Sequence, residues 1–391
     1  MKVLVIPFDY PTTDNPFKGI FVKKQVKALS EYVDISVYKL RRLPLRNPIN
    51  IIKKKKCELV YDDNVLTLDC CYLNKIPKIS FLKNKIYKRK LFKNFDKLKS
   101  NFGKPDIIHA HMTYPAGYEA MLIGQKYNIP FLVTEHSSDF EKMVYVNHPK
   151  KTAKVLSTAS SYIAVSSMLK RKIQDAGKMD CKIIPNFVNI EKFDLKETVN
   201  KKWQYSDKFN IINISLMSEK KGIDYLLKAF KKVIDKRGKE NIHLHLVGDG
   251  PKKKDYEKLS VCLGIRDSCS FHGFLKSEDV AKILNKCNAL VISSKVETFG
   301  IVGIEAMAAG LPVVSTSCGG PEDYINKDNG VLVESENTKS LTSGIIKIMK
   351  NYENYDKKYI KNYVKNNYSS KVVCDIIIDN YKKIIKQKNK Y

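Results

Sequence analysis

The chain reads as an α/β protein built from two doubly wound, parallel-sheet domains. Three observations predict this. Its 391 residues suffice for two domains of ordinary size, and 43% apolar residues is a globular composition. Short apolar, β-branched runs alternate with amphipathic helical stretches along nearly the whole length, the pattern of parallel βαβ units. A polar interval, 195–208, separates two such series and reads as a linker.

The first series opens with Lys2 to Pro7 (KVLVIP), a buried strand. A turn-rich loop follows, in which Gly19 leads into a helix with Ile20, Val22, Val26 and Leu29 on one side. A glycine at such a strand–helix junction lets backbone come close to a phosphate or sugar. Val33 to Tyr38 is a second strand, and further strands are expected near Leu59 and Val65. Residues 39–104 hold 19 Lys/Arg against 5 Asp/Glu, a large share of the chain's net +29, with Lys53 to Lys56 as an unbroken run. Within 79–100, Leu82, Ile86, Leu91, Phe95 and Leu98 fall on one face of a basic amphipathic helix. Lys83, Lys88, Arg89, Lys90, Lys93 and Lys97 spread over the rest. Such a helix can lie on an anionic membrane surface, or it can pack its apolar face on the domain with lysines merely solvating the other side.

Asp106 to His111 (DIIHAH) is a strand whose His109 and His111 share a face. Ile129 to Thr134 is the next strand and delivers Glu135 and His136. Two histidine-bearing strand ends at the carboxyl edge of an open sheet favour a ligand site there. No Cys or acidic residue stands at a spacing that completes a zinc site. Ser161 to Ser166 and Lys182 to Asn186 are the last strands of the first domain, expected over 1–195.

The second series, 208–371, has strands at Phe209 to Ser215, Ile242 to Val247, Ser270 to Phe271, Leu290 to Ile292 and Val313 to Ser315. Helices are expected near 224–235, 254–263 and 277–286. Its organising stretch is Ala289 to Pro312, ALVISSKVETFGIVGIEAMAAGLP: a buried strand, a polar turn, and a helix stopped by Gly310 and Pro312. Glu297 lies in the turn and Glu305 in the helix. The N–H groups of Gly300 to Gly303 would face an anion such as a diphosphate. Carboxylates accept hydrogen bonds from two vicinal hydroxyls, so Glu305 suits a ribose diol and Glu297 a sugar. Val247-Gly248-Asp249-Gly250-Pro251 is a strand-end turn. A closing amphipathic helix spans 372–391, with Val372, Ile376, Ile377, Tyr381, Ile384 and Ile385 at helical spacing.

The order Glu-Thr-Phe-Gly, seven residues between the two Glu, then Ala-Xaa-Ala-Xaa-Gly-Xaa-Pro and Gly-Gly-Pro-Glu resembles the donor site of the family 4 retaining glycosyltransferases (glycosyl transferases group 1). NPFKGIFV around Gly19 and IPNFVNIEKFD at Ile184 to Asp194 are similar to further signatures of that family. The resemblance implies the GT-B fold, two Rossmann-like domains facing each other across a cleft, with the last helix returning to the first domain. It implies a UDP- or GDP-sugar donor, a saccharide or polyprenyl-linked acceptor in cell-surface polysaccharide assembly, retention of configuration, and no metal. By position it gives His111, Glu297 and Lys221 catalytic roles. It assigns Glu305, Phe299, Gly300, Ile301, Val302, Gly248 and Lys220 to the donor, and Gly19 and His136 to the acceptor and phosphate loop. In the family an Arg stands five positions before the lysine; here that position is Leu216. No Asp-Xaa-Asp occurs.

The remaining expectations come from composition. Nine cysteines, an odd number with no Cys-x-x-Cys, read as free thiols in a cytoplasmic protein, with possible attachment to the inner membrane face. No stretch of 18 unbroken apolar residues exists to span a membrane. Three rival readings are a nucleotide-sugar epimerase on the same fold, a basic nucleic-acid-binding protein, and a non-catalytic scaffold, which both Glu residues and His111 disfavour. The second is disfavoured because the basic stretch carries little aromatic interleaving beyond Tyr87 and Phe92.

Overall fold

The computed structural model describes residues 1–12, 15, 18–43, 57–73, 80–178, 180–193 and 204–388. Contacts group the chain into two units. Unit 1 comprises 1–165, 169–184 and 374–391; unit 2 comprises 166–168 and 185–373. Residues 185–193 therefore group with the second unit, although the sequence reading placed them in the first. The lysine run 53–56 and linker positions 195–203 lie outside the described residues.

Unit 1 is an eight-stranded sheet in the order β3-β4-β2-β1-β5-β6-β7-β8. Its strands are β1 (Lys2–Pro7), β2 (Asp34–Leu43), β3 (Cys57–Asp62), β4 (Val65–Leu73), β5 (Ile107–His111), β6 (Phe131–Glu135), β7 (Ser161–Ala164) and β8 (Cys181–Ile183). Helix α1 (Ile20–Leu29) follows β1, and α2 (Ser80–Phe102) leads to β5. Strand β3 corrects the expectation of wholly parallel sheets, because it pairs antiparallel with β4. The cause is local. Asp63 (φ 49°) and Asn64 (φ 65°) make a tight two-residue turn that these residue types adopt readily.

That hairpin also corrects the reading of the cysteines. Cys57 lies opposite Cys70 with Cα atoms 4.1 Å apart, and the two are bonded as a disulfide; the other seven cysteines form no disulfide. Cross-strand register, invisible in the spacing of 13 residues, brings them together.

Helix α2 buries Tyr87, Leu91, Phe95 and Leu98. Ile86, expected on that face, is 38% exposed, and Tyr87 takes its place. Tyr38 of β2 donates a hydrogen bond to the Leu91 carbonyl. The apolar face beyond position 86 is therefore covered by the domain, while Lys88, Arg89, Lys90, Lys93 and Lys97 are exposed. The side chains of Leu82 and Lys83 lie outside the described set.

Unit 2 holds a six-stranded parallel sheet, β11-β10-β9-β12-β13-β14. Its strands are β9 (Phe209–Ile214), β10 (Ile242–Val247), β11 (Cys269–Gly273), β12 (Ala289–Ile292), β13 (Val313–Thr316) and β14 (Gly330–Val333), the last not anticipated from sequence. Its core cluster includes Ile211, Leu226, Leu227, Phe230, Val233, Leu244, Leu246 and Val291. Each such side chain contributes about 1.5–3 kcal/mol on burial. Residues 374–388 of the closing helix (Ser370–Lys388) pack in unit 1. There Tyr381 is fully buried, and Asn380 accepts a hydrogen bond from Lys182. Among the described residues, no helix is long and apolar enough to cross a membrane.

Candidate active site

The carboxyl edge of the unit 2 sheet gathers most of the expected donor residues. The 3₁₀ turn Glu219–Lys221 docks against the end of β12: Lys295 N–H donates to the Lys220 carbonyl at 2.8 Å, and Ser293 Oγ donates to the Lys221 carbonyl at 2.9 Å. Gly222 makes that approach feasible. Its φ is 59°, and a Cβ there would lie 2.1 Å from the Ser293 carbonyl oxygen. The turn thereby aims Lys221 at Glu297, whose Oε1 takes the ammonium at 2.5 Å and a hydrogen bond from Ser294 Oγ at 2.8 Å. Among the described residues no protein donor meets Glu297 Oε2. The Glu297 backbone is held on both sides, its N–H by the Cys318 carbonyl and its carbonyl by Gly320 N–H, each at 2.8 Å.

Helix α3 (Ile301–Ala308) starts from Gly300 at φ 78°, with no side chain capping it. Gly303 N–H is bonded to the Gly300 carbonyl at 2.9 Å, which removes it from the expected anion-facing set. The N–H groups of Gly300, Ile301 and Val302 remain without a backbone acceptor among the described residues. Phe299 is buried and packs on Tyr324, whose hydroxyl donates to the Gly300 carbonyl at 2.8 Å. A Cβ at Gly303 would lie 2.2 Å from that same hydroxyl. Glu305 sits on the second turn of the helix, half-buried. Gly248 ends β10 with its N–H bonded to the Gly273 carbonyl, so it contributes close approach of backbone rather than an amide: a Cβ would meet Ser215 O at 1.9 Å. Lys220 and Leu216 are exposed, Leu216 at 61%.

In unit 1 the edge gathers histidines. Strand register sets His111 beside Thr134, and His111 Nδ1 lies 3.0 Å from His136 Nε2. The rings of His109 and His111 stack with centroids 4.4 Å apart, and those of His111 and His136 at 5.3 Å. Burial pushes His109 and His136 down to about 3 and His111 well below its ordinary value, so all three are neutral near pH 7. His109 is bound on both sides, by Tyr381 OH at 2.5 Å and Thr134 Oγ1 at 2.7 Å. Gly19 caps α1 at φ 71°, where a Cβ would meet Asp9 O at 2.2 Å; Phe21, two residues on, lies 4.7 Å from the His136 ring.

Three groups were given no role from the sequence. Glu135 is a buried clamp: its Oε2 accepts from Thr113 N–H and Oγ1, and its Oε1 from the N–H groups of His136 and Ser137. A carboxylate beside a strand-end histidine was a signal for it. Ser294 and Tyr324 gave none, because their partners, Glu297 and the Gly300 carbonyl, are supplied by the fold.

Comparison with known proteins bears on what this edge serves. Residues 65–192 match the model of Glycosyltransferase Family 4, and residues 196–366 that of Glycosyl transferases group 1. An uncharacterised glycosyltransferase of Methanocaldococcus jannaschii is 30% identical over 293 residues, 70% of this chain and 73% of that protein. A Bacillus subtilis glycosyltransferase named for teichuronic acid biosynthesis, TuaC, is 25% identical over 88% of each chain. Among solved structures, the Anabaena protein HepE in complex with UDP aligns with a TM-score of 0.76 at 16% identity, covering 98% of this chain and all of that one. Sucrose-phosphate synthase from Thermosynechococcus elongatus aligns with a TM-score of 0.74 at 18% identity, covering 99% and 100%. The fold is GT-B, and the chain belongs to the family 4, group 1 glycosyltransferases.

Proposed function

We propose that this glycosyltransferase moves a hexose-type sugar from a UDP- or GDP-sugar to a hydroxyl of a saccharide or polyprenyl-linked acceptor, with retention and without a metal. The observation that carries the reading is the Lys221–Glu297 pair, set beside the uncapped start of helix Ile301–Ala308. Lys221 and the N–H groups of Gly300, Ile301 and Val302 supply positive potential for a diphosphate that gains charge as it leaves. Glu297 Oε2 accepts from the sugar hydroxyls and Glu305 from the ribose diol. His111, neutral and nearly buried, contacts the transferred sugar rather than acting as a strong base. The departing phosphate oxygen takes the acceptor proton on the same face. The lack of any Asp-Xaa-Asp supports metal independence. HepE and its complexes with UDP and UDP-glucose favour a uridine donor as the first to try.

Acceptor assembly on a lipid carrier places the enzyme at the inner membrane face. With Leu91, Phe95 and Leu98 packed inside unit 1, the exposed Lys and Arg of α2 would provide the attraction. The test is thermal-shift screening against UDP-, GDP- and ADP-sugars, in which a binding donor raises Tm by mass action. A UDP- or GDP-sugar that stabilises the wild type and not Glu305→Ala supports the assignment. Stabilisation by none of the three classes overturns it.

A further inference from the structure

We infer that His136 is a positioning residue that sets the tautomer of His111, the two rings acting as one neutral donor–acceptor pair. The 3.0 Å contact between His111 Nδ1 and His136 Nε2 is a hydrogen bond only if one proton lies between them. Burial disfavours charge on either ring, and charging one would place a cation in a stack that also holds His109.

Two neutral imidazoles carry two N–H groups between them. One lies in the shared bond, so the other must lie on an outer nitrogen. If His111 donates through Nδ1, its Nε2 is bare and His136 carries a proton at Nδ1. If His136 donates through Nε2, His111 carries its proton at Nε2 and His136 Nδ1 is bare. The pair therefore always presents one donor and one acceptor, and a proton gained at one outer nitrogen must leave at the other.

The surroundings hold the pair together and leave that choice open. Neither outer nitrogen has a protein partner among the described residues, and neither is among the buried side-chain atoms left unpaired: Gln25 Oε1, Ser36 Oγ and His243 Nδ1. Glu135 ties the backbone just after His111, at Thr113, to the backbone of His136 and Ser137, so the two strand ends cannot drift apart. Phe21 covers the His136 ring. His109 spends both its nitrogens on Tyr381 and Thr134 and only stacks on His111, so it imposes no tautomer. A ligand thus selects the state. An oxygen without a proton, such as a carbonyl or phosphate oxygen, fixes His111 as the Nε2–H form; a hydroxyl can pair with either. This consequence rests on the reading of His111 as the sugar contact, whereas the pairing itself does not.

The test is long-range proton–nitrogen correlation spectroscopy of ring-labelled protein near pH 7, for wild type, His136→Phe and His136→Gln. Wild type should show matched tautomers, with one of the two outer nitrogens protonated. His136→Phe keeps an aromatic ring but no nitrogen, and should change the His111 tautomer ratio. His136→Gln has an amide that can donate to Nδ1 or accept from it but carries no second ring nitrogen to match, so it too should change the His111 tautomer ratio, keeping the inference testable if the Phe variant does not fold. Two protons on either ring, both outer nitrogens protonated together, or a His111 signal unmoved in His136→Phe would overturn it. Addition of UDP-glucose then separates the two readings. A shifted tautomer ratio supports His111 as a sugar contact, while matched rings that ignore a UDP-glucose bound by thermal shift would sink that contact and leave the pair standing.

Discussion

Lys221→Ala should be the most informative single change at the donor edge. In the free protein the ammonium lies 2.5 Å from Glu297 Oε1, with 23% of the lysine and 14% of the glutamate side chain exposed. Removing it leaves a mostly buried carboxylate supported, among the described side chains, by Ser294, a loss of about 1–3 kcal/mol in stability. The kinetic cost is larger. On the proposed reading, with Leu216 where the resemblance puts an arginine, Lys221 would be the side-chain cation at the leaving group, and the amides of Gly300, Ile301 and Val302 would provide the rest. Loss of one such preorganised donor costs about 10²–10³-fold, or ~2.7–4 kcal/mol, in the transition state. The assay is UDP or GDP release coupled to product formation with the donor found by thermal shift, alongside a melting curve. A fall of at least about 10²-fold in kcat/KM with the fold retained is expected. Lys221→Met, which keeps the aliphatic stem, should be as impaired. If Lys221→Ala stayed within about twofold of wild type, well under 1 kcal/mol, the diphosphate would be held elsewhere and the placement of this turn would be wrong.

Four further outcomes are expected. Leu216→Arg should fold normally, because 61% of Leu216 is exposed, and should tighten nucleoside diphosphate; calorimetry showing weaker binding would count against a donor site there. Gly303→Ala should destabilise by about 1–3 kcal/mol through overpacking on Tyr324, and Gly303→Ala with Tyr324→Phe should recover part of it in urea melts. His109 and His136 have folded values near 3 against 6.5 unfolded, so the unfolded chain binds more protons as pH falls below 6.5. Stability should therefore be full above pH 6.5 and fall towards pH 3, by roughly 2 kcal/mol at pH 5 for the fully buried His109 and by less for the half-buried His136; a denaturation midpoint flat from pH 7 to about 4.5 would contradict their being held neutral. Reversing Lys88, Arg89, Lys90 and Lys93 to Glu should abolish salt-sensitive binding to anionic liposomes, at ~1 kcal/mol per charge, while donor binding persists; unchanged liposome binding would leave α2 a solvated face.

Much of this protein was legible before folding. Repeating strand–helix periods determined two parallel αβ series, because side-chain periodicity is a local property of backbone geometry. The Ala289 to Pro312 stretch carried its own strand, turn, helix and stop signals, and all four formed where the residues placed them. Three kinds of feature needed the fold. The first is pairing between distant strands: the β3 hairpin and the Cys57–Cys70 contact depend on register, and the local signal of Asp63 and Asn64 was too short to weigh. The second is helix rotation: one turn of α2 exchanged Ile86 for Tyr87 on the buried face, because a domain surface and not the helix decides which of two adjacent apolar residues is covered. The third is the chemistry of contact. Lys221 and Ser294 meet one oxygen of Glu297, 76 residues beyond Lys221, and His111 Nδ1 meets His136 Nε2, only because sheet order brings each pair's strand ends to one edge. Sequence names the residues able to donate and accept; tertiary structure alone fixes the few tenths of an ångström and the burial that decide which of them do.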